Sequence, residues 1–525
     1  MEKSITFALL EDQDNQDLIR TISESYQFAH DPPTTAKESY FDSFDWLLHN
    51  ENLVLLKQDG AFYLHDLKSS TVVAECLWAH RSVARFWWDF PDCEIAALLK
   101  SCLDVRALLP FLEIKKRREK LHILNIDEKT VLRVYLDEIN PKTDDPIQKT
   151  IRTITLEPVR GYLKEFSDFH RFIEGLKVAE PCENLFNMML KLSPRKPGDY
   201  SSKMKVTLTR DSSGSMATRK ILLYLLNVMK QNEEGVISDI DTEFLHDFRV
   251  SGRRTRSAIS QIKDVLPPEK LDRFKDDFRE LGQSSNKLRD LDVYLHKKEE
   301  YLTMLPVDLR PGLDPFFMDL KKQRKKELKG FIRMLHSDFY RQLTTDWESF
   351  LVSDEDYEGT PANAEKPVIT LARVFIWGRY KQIMKAGAKI NNETPDEKLH
   401  NLRIQCKKLR YLMEFFASLF PSGEIALLTK QLKRFQDNLG EFNDLSMQQD
   451  TLKEYLDTID PKLDQSMLIA AAIGGLIMNL HKRQQHVRAE FSDQFRNFGQ
   501  KKNRLLFKQL FKDGDRSIAK KEMIL

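Results

Sequence analysis

A basic motif of twelve residues occurs twice in the chain. The segment 245–256 reads LHDFRVSGRRTR, and the segment 399–410, 154 residues later, reads LHNLRIQCKKLR. Each copy is followed by a second pair of matching segments, Leu-Gly then Arg-Asp-Leu at 281–291 and Leu-Gly then Asn-Asp-Leu at 439–445. The histidine and the aspartate of these segments are 44 residues apart in both copies. Matched spacing of this kind indicates an internal repeat.

Helical spacing turns each copy into a stripe of positive charge. At about 100° per residue, one histidine and three permanent cations fall within less than a quarter of the helix circumference. These residues are His246, Arg249, Arg253 and Arg256 in the first copy, and His400, Arg403, Lys407 and Arg410 in the second. Arginine grips phosphate oxygens with two N–H groups and lysine acts as a point charge. A duplicated stripe therefore predicts that the ligand is a polymer with repeated phosphate-like charges.

Two other interpretations of the stripes stay open. Basic helix faces are often solvated surface, and Asp290, Asp292 and Asp444 offer carboxylates that would neutralise the arginines. The two histidines suit phosphate contact or a structural hydrogen bond, and no metal site is predicted from their spacing. Further cations extend the candidate binding surface: Arg289, Lys325, Lys329, Lys433 and Arg434.

The hydrophobic pattern predicts a large helical region to position the stripes. From residue 217 to 510 the apolar residues recur at helical spacing, and the acidic break at 353–367 divides the region into repeats at about 217–352 and 368–510. Among the predicted helices are one long helix over 313–350 and two separate helices over 424–440 and 442–458. A basic tail occupies residues 511–525.

The first 192 residues have a different pattern and predict an α+β domain. Alternating apolar runs on either side of Asp59-Gly60 are typical of a hairpin, and Thr130–Asp137 and Arg152–Glu157 read as further strands. Residues 193–216 are rich in Pro, Gly and Ser and predict a linker.

Charge distribution and cysteine content indicate the kind of ligand and the compartment of the protein. Residues 1–200 hold 26 Lys and Arg against 33 Asp and Glu, whereas the remainder holds 56 against 47, so the helical part is the basic one. Five cysteines without any CxxC spacing favour a reducing compartment. No signal peptide, membrane span or cofactor motif is predicted, and we expect a cytoplasmic protein. The sequence does not indicate whether the protein associates with granules or what its oligomeric state is.

The repeated motifs resemble the two halves of the CHAD family, the conserved histidine α-helical domain. LHDFRVSGRRTRSAI and LHNLRIQCKKLRYLMEFF look like its two basic helices, with LRDLDV and LGEFNDLS as its later motifs. The resemblance implies an all-α domain of two pseudo-symmetric bundles whose basic surface binds inorganic polyphosphate without catalysis. It also adds Arg254 and Lys408 to the candidate contacts.

Residues 1–192 resemble a degenerate CYTH domain, the antiparallel triphosphate-tunnel barrel. The segment YFDSFDWL at 40–47 and the runs TVLRVYLDE and ITLEPVRGYLKEF carry this likeness. The ExExK strand that would hold a divalent metal has no match in MEKSITFALLEDQ. Two alternative functions therefore remain beside polyphosphate binding: metal-dependent hydrolysis of triphosphate or polyphosphate by this domain, and nucleic-acid binding by the basic helices. Sparse aromatic residues on the stripes make the second less favoured.

Overall fold

The chain folds into two compact units, Met1–Ser201 and Ser202–Leu525. The computed structural model describes residues 4–11, 13–69, 71–78, 84–142, 150–182, 185–353, 360–391, 393–462 and 465–513. The greater part of the predicted basic tail, residues 514–525, lies outside this range.

The first unit is organised around an antiparallel sheet. Its nine described strands follow the order β5-β4-β3-β2-β6-β7-β8-β1-β9. The strands are β1 (Ile5–Leu9), β2 (Phe28–Asp42), β3 (Leu53–Gln58), β4 (Ala61–Asp66), β5 (Thr71–Leu77), β6 (Leu109–Leu124), β7 (Thr130–Pro141), β8 (Ile151–Pro158) and β9 (Ala179–Pro181). The helices are α1 (Asn15–Ser25), α2 (Leu47–Asn50), α3 (Glu94–Leu103), α4 (Leu163–Leu176) and α5 (Leu185–Leu190). The predicted α+β class is confirmed.

Turn chemistry explains the hairpin that joins β3 to β4. Asp59 and Gly60 have φ angles of 46° and 79°, the positive values that a tight two-residue turn requires. Leu55 and Leu64 pair directly across the two strands and are fully buried. The predicted hairpin is therefore confirmed.

The two faces of the sheet differ in chemistry. Phe7 and Leu9 of β1 enter an apolar core beneath α1 and α4, so alternation places Thr6 and Ala8 on the opposite face. On β6, Lys116 donates to Glu38 at 3.0 Å. The basic run Lys115–Arg118 on this strand is therefore neutralised at least in part by carboxylates of the same sheet.

The second unit is helical and contains the predicted repeat. The first repeat has α6 (Gly214–Ile237), α7 (Thr242–Gln261), α8 (Pro268–Ser284), α9 (Asn286–His296), α10 (Lys298–Thr303), α11 (Asp314–Leu335) and α12 (Asp338–Val352). The second has α13 (Val368–Gly387), α14 (Asp396–Phe415), α15 (Ser422–Leu456), α16 (Ser466–Phe498) and α17 (Lys501–Lys508), followed by a π-helical turn at Gln509–Asp513. Among the described residues, no helix is both long enough and apolar enough to cross a membrane.

Two predicted helix boundaries are wrong. The single helix expected over 313–350 is two helices, because the side chain of Ser337 accepts a hydrogen bond from Tyr340 N and starts α12.

The break expected at residue 441 is absent, and α15 runs through Gly440. A Cβ atom at Gly440 would lie 3.9 Å from Arg403 Nε, an ordinary van der Waals distance, so the packing around this glycine leaves room for a small side chain. A glycine inside a helix is tolerated at a modest cost and does not by itself end the helix.

The predicted linker region is attached at both ends. Ser193 Oγ donates to the Phe111 carbonyl at 2.9 Å, within the first unit. Further along, Leu208 N donates to Ser418 Oγ at 3.0 Å, within the second unit. The segment from 193 to 208 is therefore held by side-chain contacts in each unit.

Side chains from both repeats hold the helical unit together. Tyr294 of α9 donates to Thr451 of α15 at 2.6 Å, and Tyr301 of α10 donates to Gln448 at 2.8 Å. Gln261 at the end of α7 donates to the Lys408 carbonyl of α14 at 3.2 Å. These contacts bring α7 beside α14 and α9 beside α15, so they fix the two basic helices against each other.

We expect Arg324→Met to lower the free energy of unfolding by about 3 kcal/mol, because it removes the cation that compensates a buried carboxylate. Arg324 Nε donates to Asp292 Oδ1 at 2.6 Å, and Asp292 is 1% exposed. Urea unfolding followed by far-UV circular dichroism measures the loss. Lys321→Met, at an exposed position of the same helix, is the control and should shift stability by less than about 0.5 kcal/mol. Equal stability of the two variants would contradict this role for Arg324.

Candidate functional site

The first basic stripe is positioned by the amphipathic helix α7. Asp241 caps the helix by accepting hydrogen bonds from Glu243 N and Phe244 N at 2.9 and 3.2 Å. The apolar side of α7 is buried, with Phe244 and Phe248 each 2% exposed. The remaining side carries the stripe cations half-buried between α7 and α8: Arg249, Arg253 and Arg256.

Arg249 is held entirely by neutral acceptors. Its Nη1 donates to the Gly282 carbonyl at 3.0 Å and to Ser285 Oγ at 2.5 Å, and its Nη2 donates to Asn286 Oδ1 at 2.8 Å. Burial, reinforced by Arg253, lowers the pKa of Arg249 to about 10. The guanidinium therefore stays charged at neutral pH, and its orientation is fixed without a carboxylate partner.

Arg253 and Arg256 have no hydrogen bond or ion pair from their guanidinium groups within the described residues. Their Nε atoms are buried. Burial and the nearby Arg279 lower the pKa of Arg256. Together with Arg249 they line a small cavity of about 80 Å³ against the end of α8. Nearby carboxylates act on this cavity without forming ion pairs with its arginines within the described residues: Asp290 partly offsets the charge of Arg249, and Asp276 that of Arg256.

The second stripe lines a larger cavity. Arg403, Lys407 and Arg410 of α14 face α15 and α16 across a space of about 360 Å³. Arg403 Nη2 donates to Asp444 at 3.2 Å, and Arg410 Nε lies 3.3 Å from Glu414 Oε1 without hydrogen-bond geometry. The outer two cations of this stripe are therefore partly neutralised by carboxylates.

Lys407 is the exception in the second stripe. Among the described residues its ammonium group has no ion pair, and its pKa is lowered to about 8. Burial is the main cause, followed by repulsion from Arg403 of the same helix and Arg253 of the other repeat. The two stripes lie on adjacent helices, because α7 packs against α14 and Gln261 of α7 donates to the Lys408 carbonyl. We refer to the combined surface as the basic cleft: Arg249, Arg253, Arg256, Arg403, Lys407 and Arg410.

The two histidines take different positions. His400 is exposed, and its Nδ1 lies 2.5 Å from Asn443 Oδ1, the amide that stands where the first repeat has Arg289. His246 is half-buried on α7. Within the described residues no group of three or more His, Cys, Asp or Glu side chains is arranged to hold a metal ion.

The remaining predicted contacts lie outside the basic cleft. Arg254 is 8% exposed and donates to Glu414 at 2.7 Å and to the Ser202 carbonyl, so it joins elements of the helical unit. Arg289 pairs with Glu243 at 3.4 Å. The others are spread over separate surfaces: Lys408 near Arg379, exposed Lys325 and Lys329 on α11, exposed Lys433 on α15, and Arg434 at a different cavity with Glu490.

Sequence patterns missed two cations of the larger cavity. Lys297 follows α9, and Arg483 comes from α16, where it pairs with Glu300 at 2.6 Å and Glu441 at 2.7 Å. Neither residue belongs to a repeated motif, so their contribution depends on how α16 packs across α15. Gln436 and Gln448 of α15 add amide groups to the same wall.

The fold and the cleft define a duplicated helical domain in which one basic helix from each repeat meets the other. Residues 220–453 match the family model of the CHAD domain. The chain therefore contains a CHAD domain, as the two motifs predicted. The antiparallel sheet of the first unit agrees with its resemblance to CYTH domains.

Solved structures offer remote likenesses. The CHAD domain from the plant Ricinus communis is 24% identical, with 57% of this chain and 97% of that one covered and a TM-score of 0.47. PptA from Streptomyces chartreusis is 16% identical over 54% and 99% of the chains, with a TM-score of 0.40. A putative adenylyl cyclase from Hippeastrum, described as having a dominant triphosphatase activity, is 13% identical over 38% and 100%, with a TM-score of 0.27. The comparison with curated proteins gave no match.

Lys407→Met should stabilise the ligand-free protein by about 2 kcal/mol at pH 7, because it removes a buried cation whose charged form is disfavoured. The folded pKa of about 8 lies below the usual value for lysine, so protonating Lys407 costs stability below pH 8. That cost fades as the pH rises through 8 towards about 10.4, where the unfolded chain also loses the proton.

Urea unfolding of wild type and variant at several pH values measures this difference. The exposed Lys385→Met variant is the control and should change stability by less than about 0.5 kcal/mol across the same range. A Lys407→Met protein that is less stable than wild type at pH 7 would show that the lysine is structurally compensated.

Proposed function

We propose that the helical unit binds inorganic polyphosphate, or a polyanion with the same repeated phosphate chemistry, along the basic cleft. The observation that carries the proposal is the packing of two half-buried basic stripes on adjacent helices, whose cations are incompletely paired. Among the described residues, the guanidinium groups of Arg253 and Arg256 and the ammonium group of Lys407 have no hydrogen bond or ion pair. Phosphate oxygens would supply both acceptors and negative charge to these groups.

The shape of the charged surface favours a chain over a single phosphate. Arg249 and Arg256 are seven residues apart, which is about 10 Å along a helix. Arg403 and Arg410 span the same distance on α14. Because the stripes lie on the packed helices α7 and α14, a linear polyanion can contact both repeats at once, and each added phosphate can meet another cation.

The cleft lacks the features that single-stranded nucleic acids require. Phe248 and Phe278 line the first-repeat cavity, but each is 2% exposed and packed in the core. Tyr411, which lies beneath Arg254 and Arg410, is 6% exposed. Base recognition on single strands depends on accessible aromatic faces, so the cleft favours a ligand without bases.

The Arg253→Ala/Lys407→Ala double variant should bind long-chain polyphosphate about 100-fold more weakly than wild type. The reason is that the double change removes two partnerless cations where the stripes meet, and charge-assisted hydrogen bonds contribute about 1.5–3 kcal/mol each. Isothermal titration calorimetry at fixed salt measures the affinity. The slope of log affinity against log salt should also become shallower by about two, one for each lost cation.

The matched control is Arg341→Ala/Lys385→Ala, which removes the same two charges from α12 and α13 without touching the cleft. Its affinity should equal that of wild type. Loss of binding in the control, or retention in the cleft variant, would remove the basic cleft as the binding site. Competition with single-stranded and duplex DNA at matched salt separates the ligands, and a preference for DNA would contradict the proposal.

The proposal places phosphate binding in the helical unit and assigns no hydrolysis to the sheet. Arg118 on β6 donates to Asp137 through Nε and Nη2, both at 2.7 Å, which is a bidentate pair that occupies the phosphate-gripping edge of the guanidinium. On β1, Thr6 and Ala8 stand at the alternating positions that a metal site would need as carboxylates.

We therefore expect phosphate release from tripolyphosphate to stay at the protein-free background with Mg²⁺ or Mn²⁺ present. A colorimetric phosphate assay on the full chain measures it. Arg118→Ala is the informative control, because metal-dependent release that disappears in this variant would place a hydrolytic site on the sheet. Phosphate release that exceeds background in both the wild type and the Arg118→Ala variant would place a hydrolytic site elsewhere in the chain. Either kind of release would contradict a purely binding function.

A further inference from the structure

Two cysteines of the first unit lie in direct contact. Cys76 on β5 and Cys93, which immediately precedes α3, are 17 residues apart in sequence, and their Sγ atoms are 3.0 Å apart. A disulfide bond is about 2.05 Å long, so a movement of about 1 Å would allow the two sulfurs to bond. Both are free thiols in the structure.

The surroundings give the two thiols different reactivity. Cys76 is 6% exposed in an apolar core with Phe62 and Trp78, and burial, reinforced by the hydrogen bond from Cys93, raises the pKa of its thiol to about 11. Cys93 is only half-buried and stands at the N-terminus of a ten-residue helix. The difference in exposure makes Cys93 the accessible thiol and Cys76 the protected partner.

We propose that Cys76 and Cys93 form a peroxide-oxidation site, with Cys93 as the attacking thiol and Cys76 as the resolving thiol. The Cys93 sulfur loses its proton and attacks one oxygen of hydrogen peroxide. The O–O bond breaks, the hydroxide that leaves takes up that proton and becomes water, and Cys93 becomes a sulfenic acid. The Cys76 sulfur then attacks the Cys93 sulfur and loses its proton, the S–O bond breaks, and water leaves. Two thiols and one peroxide thus give one disulfide and two water molecules.

The bridge has a defined structural consequence. Strand β5 is an edge of the sheet and pairs only with β4 among the described strands. A disulfide would fasten this edge to α3 through a covalent bond as well as through the apolar core. We expect slower amide exchange in 71–77 after oxidation, because opening the edge would then require α3 to move with it.

Tryptic digestion gives a direct test of the disulfide bond between Cys76 and Cys93. Trypsin releases Cys76 in the peptide 69–81 and Cys93 in the peptide 86–100. The full-length protein is treated with hydrogen peroxide, remaining thiols are alkylated, and the digest is examined by mass spectrometry without reduction. The expected product is a linked pair of these peptides, lighter than the two free peptides by two hydrogen atoms, that separates on treatment with dithiothreitol.

The other cysteines serve as internal controls. Cys102 and Cys182 are half-buried thiols of the same unit, and they should be recovered in alkylated form. Cys102→Ser should leave the 76–93 cross-link unchanged, whereas Cys93→Ser should abolish it and slow peroxide consumption. Oxidation of Cys93 to sulfinic acid without the linked peptides, or comparable linkage of Cys93 to Cys102, would overturn the proposal.

Discussion

The burial of like charges in the basic cleft is the constraint around which the helical unit is arranged. The packing of α7 beside α14 brings Arg253 and Lys407 together in a partly desolvated space, and the depressed pKa of Lys407 reflects the free-energy cost. Other contacts must offset this cost. They are supplied by buried apolar packing and by hydrogen bonds between repeats, such as Tyr301 to Gln448. Stability and charge concentration therefore oppose each other at the same interface.

The two repeats differ in the partners of their stripe arginines. In the first repeat, Arg249 donates to neutral acceptors at the break between α8 and α9. Its counterpart Arg403 donates to Asp444, which lies within the unbroken helix α15. The first repeat has four more residues than the second between the glycine and the aspartate of the later motif. The break at Ser285 between α8 and α9 falls in this longer stretch. Among the described residues, the first half of the cleft has fewer ion pairs than the second.

A comparison between the two units shows why a run of cations does not define a binding site. The run Lys115–Arg118 on β6 is as basic as either helical stripe, but Lys116 pairs with Glu38 and Arg118 pairs with Asp137, both on neighbouring strands. Arg118 and Asp137 are directly opposed in the sheet, and diagonal neighbours are also within reach of long side chains. On α7, Arg249 donates instead to a carbonyl, a hydroxyl and a side-chain amide, so its charge has no ion pair among the described residues.

The CHAD domain, the α+β first unit, the Asp59-Gly60 hairpin and the stripe on each basic helix could be predicted from the amino-acid sequence, because periodicity and turn chemistry are local properties. Local pattern failed at Ser337, where a side-chain cap starts a new helix, and at Gly440, where the helix continues through a glycine. The set of cations that lie together depends on tertiary packing: it places α7 beside α14, adds Lys297 and Arg483 to the larger cavity, and pairs Arg254 with Glu414. Spacing along one helix fixes which side chains share a face, whereas the packing of distant segments fixes what that face meets.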